Sequence, residues 1–198
     1  MKEELMERER MLRGESYNSR DEALLATAHR ARALVAEFAA TPSTDFAKRR
    51  NILERLLGGV GEGVWIEPPF FCDYGENVYL GAESFVNVNC VFLDSAEIRI
   101  GANALIGPGV QLITPSHPIR ATDRVVTADS RTAGGAPYVI YARPIRIGDN
   151  VWVGAGTIVL PGITIGDNVT IGAGSLVTSD IPSDSLAFGQ PCRVHRSL

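Results

Sequence analysis

Hydrophobic and polar positions follow two different periods along this chain. From Ile147 an aliphatic residue recurs every six positions, in the units IGDNVW, VGAGTI, VLPGIT, IGDNVT, IGAGSL and VTSDIP. A six-residue period places one short flat strand and one corner in each unit, so three units complete a triangular coil. The pattern therefore predicts a left-handed parallel β-helix, whose leading aliphatic residues stack into a continuous narrow core.

An earlier block has the same period, in LGAESF from Leu80, VNVNCV from Val86, IGANAL from Ile100 and IGPGVQ from Ile106. The phase slips by about two residues near Asp94 to Arg99, so we expect one side of the coil to be longer there. Residues 115–143 lack the period and are predicted to form one loop extruded from a coil. Loops of this length in a compact domain are usually functional or disordered.

Residues 1–58 have helical spacing instead. Apolar side chains recur at steps of three and four residues, at Leu24, Ala28, Ala31, Val35 and Phe38. Pro42 ends that helix, Asp45 caps a second one, and Gly58 follows its end. A short charged helix is predicted for Met1 to Leu12. The fold class is therefore mainly β, with an N-terminal helical segment (1–58) before the β-helix domain (59–198).

Composition narrows the function classes. The 198 residues are 45% hydrophobic and 21% charged, with a net charge of -4, which indicates a soluble domain without a basic surface for nucleic acid or anionic membrane. No apolar run approaches the roughly 18 residues of a spanning helix, and the start lacks a secretory apolar region. We therefore expect a cytoplasmic protein. Its three widely spaced cysteines predict buried thiols rather than disulfides or a metal site.

Candidate chemistry centres on His117, at the base of the loop in the segment TPSHP. An imidazole with a pKa near 6.5 at a cleft edge can act as a general base, although packing against Pro118 is the alternative. The other histidines, His29 and His195, are expected on the surface. Their wide separation predicts no metal cluster, and the sequence has no GxSxG elbow, P-loop or GxGxxG fingerprint. Asn87 is either a corner residue or a ligand.

Several longer segments resemble the maltose and galactoside O-acetyltransferase family of hexapeptide-repeat acyltransferases. They are PPFFCDYG (68–75), NVNCVFLD (87–94), ITPSHP (113–118), the run from PIRIGDNVW to VTSDIP (144–182) and GQPCRVHR (189–196). The likeness covers nearly the whole chain. The HP pair combined with NVWVGAG and CRV is specific to sugar and xenobiotic acetyltransferases, whereas GDN hexads alone indicate only a β-helix.

The resemblance implies a homotrimer with active sites between subunits, which transfers acetyl from acetyl-CoA to a hydroxyl of a small sugar. It implies direct transfer with His117 as general base, and neither a metal nor a covalent enzyme intermediate. Asn87 and Asp94 match acceptor-side positions. Coenzyme contacts are implied at Trp152, Ala155, Ala173 and Thr178, and phosphate contacts at the C-terminal arginines, Arg193 and Arg196.

Three positions depart from the family pattern. Ser19 stands where galactoside-type members have an acidic sugar ligand, and Asp21 is the predicted substitute. Ala28 replaces an arginine, and Ser179 replaces a lysine near the coenzyme. The acceptor therefore need not be a galactoside. The alternatives are an acetyltransferase of a xenobiotic or amino sugar and, from another class, a non-catalytic or metal-binding β-helix protein.

Overall fold

Three helices precede the strands in the computed structural model, which describes residues 6–131 and 133–198. They are α1 (Glu7–Leu12), α2 (Glu22–Ala40) and α3 (Phe46–Leu56); the predicted first helix lies partly outside the described residues, because Met1–Leu5 is not covered. Helix α2 buries Leu24, Ala28, Ala31, Leu34 and Phe38. Leu34 therefore occupies the buried face in place of the predicted Val35, which is only half-buried.

The remaining chain forms a parallel β-solenoid of about six turns, with a sheet on each of three faces. Strands are numbered in chain order. Sheet A contains β1 (Gly59–Val60), β4 (Val78–Leu80), β7 (Ile98–Ile100), β12 (Ile145–Ile147) and β15 (Thr164–Ile165). Sheet B contains β2 (Trp65–Ile66), β5 (Phe85–Val86), β8 (Leu105–Ile106), β13 (Trp152–Val153), β16 (Thr170–Ile171), β18 (Ser185–Gly189) and β19 (Cys192–Ser197). Sheet C contains β3 (Phe70–Cys72), β6 (Cys90–Leu93), β9 (Gln111–Ile113), β14 (Ile158–Val159) and β17 (Leu176–Val177).

Strand register confirms the predicted stacking of aliphatic residues. In sheet B, Val86 pairs with Ile106, Ile106 with Val153, and Val153 with Ile171, and all four side chains are buried. Pairing also shows two coil lengths, since Phe85 pairs with Leu105, 20 positions on, whereas Trp152 pairs with Thr170, 18 positions on. The longer coils accommodate the extra residues at the corner between β6 and β7, where the phase slip was predicted.

The loop leaves this same corner one coil later. Its base is an antiparallel pair, β10 (Pro115–Ser116) with β11 (Tyr141–Ala142), and it contains a short helix, α4 (Ala121–Arg124), and a 3-10 turn (Ala128–Ser130). At the C-terminal end of the solenoid, β19 folds back antiparallel on β18. The loop carries the predicted site residue His117, and this hairpin carries Arg193 and Arg196.

Candidate active site

An apolar groove runs along the outward side of sheet B and its corner with sheet C. The cavity has a volume of about 720 Å³. Its walls include the predicted residues Asn87, Trp152, Ala155 and Ala173, together with Phe85, Leu105, Ile106, Gly107, Pro108, Gly154, Thr170, Ile171, Gly172 and Leu186. A long cleft with apolar walls suits an extended molecule such as a pantetheine arm.

Close stacking of the coils shapes the edge of this groove. Gly107, Gly154 and Gly172 occupy equivalent places after the sheet B strands. A Cβ added to Gly154 would lie 2.5 Å from the backbone nitrogen of Ala173 and 2.8 Å from its Cα. These contacts are with backbone, which cannot rotate away, so a side chain at this corner would separate the coils.

Asn87 lies where the groove meets the start of the sheet C side. Its Oδ1 accepts a 2.8 Å hydrogen bond from the backbone N–H of Val88. This contact occupies the carbonyl end of the amide and leaves the two N–H donors for other partners. Asn87 therefore forms a hydrogen bond within the corner and also lines the groove.

The two C-terminal arginines lie at the end of the same face. Arg196 is opposite Leu186, a residue of the groove wall, and Arg193 is opposite Phe188. Both guanidinium-bearing residues are exposed. Exposed arginines at one end of an apolar groove suit the phosphate end of a nucleotide ligand.

Thr178 and Ser179 are placed elsewhere in the subunit. Both are exposed and follow β17, the last strand of sheet C, rather than a strand of sheet B. Thr178 is not among the residues that line the groove within the described part of the chain. The prediction that Thr178 contacts the coenzyme therefore finds no support in a single subunit.

His117 is exposed at the base of the loop, and one nitrogen of its ring is fixed. Its Nδ1 lies 2.7 Å from the carbonyl oxygen of Val139. A carbonyl oxygen only accepts hydrogen bonds, so in the neutral ring Nδ1 carries the hydrogen and Nε2 keeps the lone pair. The ring also meets the Tyr138 ring edge-on, with 5.3 Å between centroids.

A second cavity, the inner cavity, lies between α2, the sheet C corner and the loop base. It has a volume of about 350 Å³, and its walls are Tyr17, Ser19, Arg20, Leu24, Leu25, Ala28, Arg32, Asp73, Tyr74, Ser95, Pro115, Tyr138 and Ile140. Tyr138 and Pro115 place it beside His117. Ser19 and Ala28, two of the three positions that depart from the family pattern, both lie on its wall.

Two predicted acceptor ligands have structural roles within the subunit. Asp21 is the N-cap of α2, where its Oδ1 accepts hydrogen bonds from Ala23 and Leu24, and it is not among the described residues of the inner cavity wall. Asp94 is fully buried, and its carboxylate accepts from the backbone N–H groups of Tyr74 and Asn77. A carboxylate without exposure cannot touch a substrate, so the prediction for Asp94 is corrected to a corner-fixing role.

Sequence reasoning missed two polar residues of the inner cavity. Tyr17 is 5% exposed, and burial raises its pKa to about 12 despite the nearby Ser95 hydroxyl. Burial also raises the pKa of Asp73, against the opposing effect of Arg32. Asp73 lies inside PPFFCDYG, one of the segments that carry the resemblance, whereas Tyr17 lies before α2, and nothing in their spacing shows that they meet.

The comparisons with known proteins agree with this geometry. Residues 10–61 match the maltose acetyltransferase hexapeptide capping motif, and residues 144–179 match the bacterial transferase hexapeptide with six repeats. Nodulation protein L of Rhizobium meliloti is 44% identical over 95% of this chain and 97% of its own length. The solved maltose O-acetyltransferase from Clostridium difficile 630 is 43% identical over 98% of both chains, with a TM-score of 0.87.

The chain belongs to the maltose and galactoside O-acetyltransferase family. A solved galactoside acetyltransferase in complex with coenzyme A is 36% identical to it over 98% of this chain and 92% of that one, with a TM-score of 0.85. This O-acetyltransferase family member is therefore an acyltransferase, as predicted, which disfavours the non-catalytic alternative. In residues 6–131 and 133–198, no helix is long and apolar enough to cross a membrane, and no three His, Cys, Asp or Glu side chains converge as a metal site would need.

Proposed function

We propose that this enzyme transfers the acetyl group of acetyl-CoA directly to a hydroxyl of a small sugar, with His117 as the general base. The hydrogen bond from Nδ1 to the carbonyl oxygen of Val139 is the observation that carries the proposal. It holds the neutral imidazole in the tautomer whose Nε2 can accept a proton. The imidazole therefore has the required tautomer before the substrate binds.

The reaction follows from this tautomer. Nε2 takes the proton of the acceptor hydroxyl as its oxygen forms a bond to the thioester carbonyl carbon. Backbone N–H groups stabilise the resulting oxyanion, as in other acyl transfers. The carbon–sulfur bond then breaks, and the imidazolium returns the proton to the departing sulfur. The products are the sugar ester and the free thiol of the coenzyme, and no acyl group is attached to the enzyme at any stage.

A homotrimer is part of the proposal, because one subunit does not bring its base and groove together. His117 is absent from the described groove wall, which is formed by sheet B and its corner. Sheet B also has an apolar outward column, with Leu105 51% and Trp152 54% exposed, whereas sheet A has Arg99 and Arg146 outward. An exposed apolar stripe of this kind indicates an interface, here with the loop of the neighbouring subunit.

The coenzyme lies in the groove under this proposal. The apolar walls around Trp152, with the small side chains of Ala155 and Ala173, suit the pantetheine arm. Arg193 and Arg196, at the end of the same face, suit the phosphates. The acceptor then occupies the inner cavity beside His117, where Asn87 of a neighbouring groove can meet it.

The test of the base is a thiol-release assay with acetyl-CoA and a panel of sugars. His117→Ala should lower turnover by about 10² to 10⁴-fold while coenzyme affinity changes little. His29→Ala, on the exposed side of α2, is the matched control and should behave as wild type. Near-normal turnover of His117→Ala would remove this residue from its role.

The test of the trimer is sedimentation velocity. Leu105→Glu places a charge in the apolar column and should dissociate the assembly and abolish turnover together. Thr164→Glu adds the same charge to an exposed position of sheet A and should leave both unchanged. A wild-type monomer with full activity, or an undisturbed Leu105→Glu trimer, would contradict the shared site.

A further inference from the structure

We propose that this chain has a second ligand site, separate from the groove and the inner cavity, which binds a small aromatic carboxylate. The site is a cavity of about 180 Å³ near the N-terminal end of the solenoid, here called the α3 cavity. Its apolar walls come from the end of α2, one side of α3 and strand β2, at Phe38, Phe46, Leu53, Trp65 and Ile66. In the described part of the chain it shares no wall residue with the groove or the inner cavity.

Arg49 is the residue that carries this inference. It lies on the wall of the α3 cavity and is only 6% exposed. An arginine keeps its charge inside a protein, and burial of a charge without an opposite charge is costly. Among the residues that the structure describes, no carboxylate lies within ion-pairing distance of the Arg49 guanidinium. The cavity therefore contains a buried positive charge that an anion would balance.

The contacts of the Arg49 guanidinium leave donors available for such an anion. Its Cζ lies over the ring of Phe38, 4.6 Å from the centroid, and 5.6 Å from the centroid of Trp65. A contact over a ring uses the flat face of the guanidinium, whereas its five N–H donors lie in its plane. Within the described residues one hydrogen bond uses them, 3.1 Å from Nη2 to the carbonyl oxygen of Ile66. The remaining donors suit the two oxygens of a carboxylate.

The next residue on α3, Arg50, has a different set of contacts. Its Nε donates a hydrogen bond to Glu54, and its two terminal nitrogens donate to the carbonyl oxygens of Gly61 and Val60. Arg50 is also only half-buried. Its charge is therefore paired and partly hydrated without a ligand, so we assign recognition of the carboxylate to Arg49.

The mouth of the α3 cavity determines the rest of the ligand. Phe46 and Trp65 meet there at 53°, with 5.6 Å between ring centroids, and are 60% and 38% exposed. These rings offer stacking surface to an aromatic ring. Glu67 accepts a 2.7 Å hydrogen bond from Trp65 Nε1, and its negative charge opposes a second charge on the ligand. The cavity is smaller than the sites of drug-sized ligands, about 300 to 1,000 Å³, so it suits a monocarboxylate as small as benzoate or phenylacetate.

Calorimetric titration with benzoate and phenylacetate tests the ligand class. We expect at least one of them to bind with a Kd of about 0.1 to 1 mM. The matching neutral amides, which lack the charge, and acetate, which lacks the ring, should bind at least about tenfold more weakly. Absence of binding by both acids at about 10 mM, or equal affinity of acids and amides, would overturn the inference.

Arg49→Gln tests the assignment of the cation. It should weaken binding of the aromatic acid at least about tenfold. Arg55→Gln is the matched control, because it removes the same charge from an exposed position of α3 outside the cavity wall and should change the Kd less than about twofold. Wild-type affinity of Arg49→Gln, or an equal loss in both variants, would refute the role of Arg49.

Phe46→Ala provides a second variant in case Arg49→Gln does not fold. Because Phe46 is largely exposed, its removal should leave Tm nearly unchanged while it weakens the aromatic acid about 3 to 10-fold. Asn51→Ala, at another exposed position of α3 outside the cavity wall, should bind as the wild type does. Unchanged affinity of Phe46→Ala would contradict the stacking surface.

Tryptophan fluorescence locates the bound acid. The chain has two tryptophans, so in Trp152→Phe the emission comes from Trp65 in the α3 cavity. Benzoate or phenylacetate should change this emission with the Kd that calorimetry gives, and coenzyme A at about 1 mM should alter that Kd less than threefold. Unchanged emission at saturation, or competition with coenzyme A, would place the acid elsewhere and overturn the inference. These measurements involve no acetyl transfer, so their outcome is independent of the proposed function.

Discussion

Replacement of Asp94 by asparagine tests the corner-fixing role through the pH dependence of stability. Burial raises the pKa of this carboxyl from 3.8 to about 6, although the backbone N–H groups of Tyr74 and Asn77 oppose the shift. A difference of about 2 pKa units corresponds to about 3 kcal/mol at roughly 1.36 kcal/mol per unit. This free energy is the extra cost of burying the ionised carboxylate relative to the protonated carboxyl group.

The sign follows from proton binding. The folded state holds the proton more tightly, so the contribution of Asp94 is most favourable below pH 4 and is lost as pH rises through about 6. The variant has no titratable group at this site. The unfolding free energy of Asp94→Asn minus that of the wild type should therefore rise by about 2.4 kcal/mol between pH 4 and 7.

Urea unfolding at a fixed protein concentration, from pH 4.5 to 7.5, measures this difference over most of the range, and carboxyl carbon NMR locates the titration directly. Acceptor KM measured at pH 7.5 should change less than threefold, because the side chain has no exposed surface. A pH-independent difference combined with a large rise in acceptor KM would refute the corner-fixing role and return Asp94 to the substrate.

Three further predictions concern the groove. Gly154→Ala should lower the free energy of unfolding by more than 2 kcal/mol in urea titrations, whereas Gly156→Ala, with φ +65° but open space, should cost about 1 kcal/mol. Arg196→Ala should raise KM for acetyl-CoA about 5 to 50-fold at constant kcat, and Arg146→Ala on sheet A should not. Trp152→Ala should weaken coenzyme binding in calorimetry about tenfold, and unchanged affinity would exclude it from the pantetheine wall.

The solenoid was predictable from the sequence because each coil contacts only its neighbours and repeats the same pattern of core residues. Each aliphatic residue packs on its equivalent in the next coil, so the six-residue period alone gives the stacking of Val153 on Ile171. The two coil lengths were visible as a phase slip for the same reason. The break in period also located the loop, since Pro115 and Ala142 pair at its base.

Acceptor-side residues were harder to predict because acidic side chains have several uses in a folded chain. Asp21 and Asp94 were predicted as acceptor ligands, but one caps a helix and the other accepts hydrogen bonds from backbone N–H groups inside a corner. Local sequence does not distinguish a carboxylate that faces a cavity from one that faces its own backbone. Asp73 is the acid that faces the cavity.

The inner cavity also depends on contacts that no periodicity describes. Tyr17 precedes α2, Asp73 follows β3, and Tyr138 lies near the end of the loop, so the three meet only after the helical segment packs on the longer corner. This packing buries the Tyr17 hydroxyl near the Ser95 hydroxyl, and the burial raises the pKa of Tyr17 to about 12. A solenoid can repeat its core indefinitely, but specificity for an acceptor requires side chains from outside the repeat. The departures from the period, rather than the period itself, therefore form the cavity in which we propose that the acceptor binds.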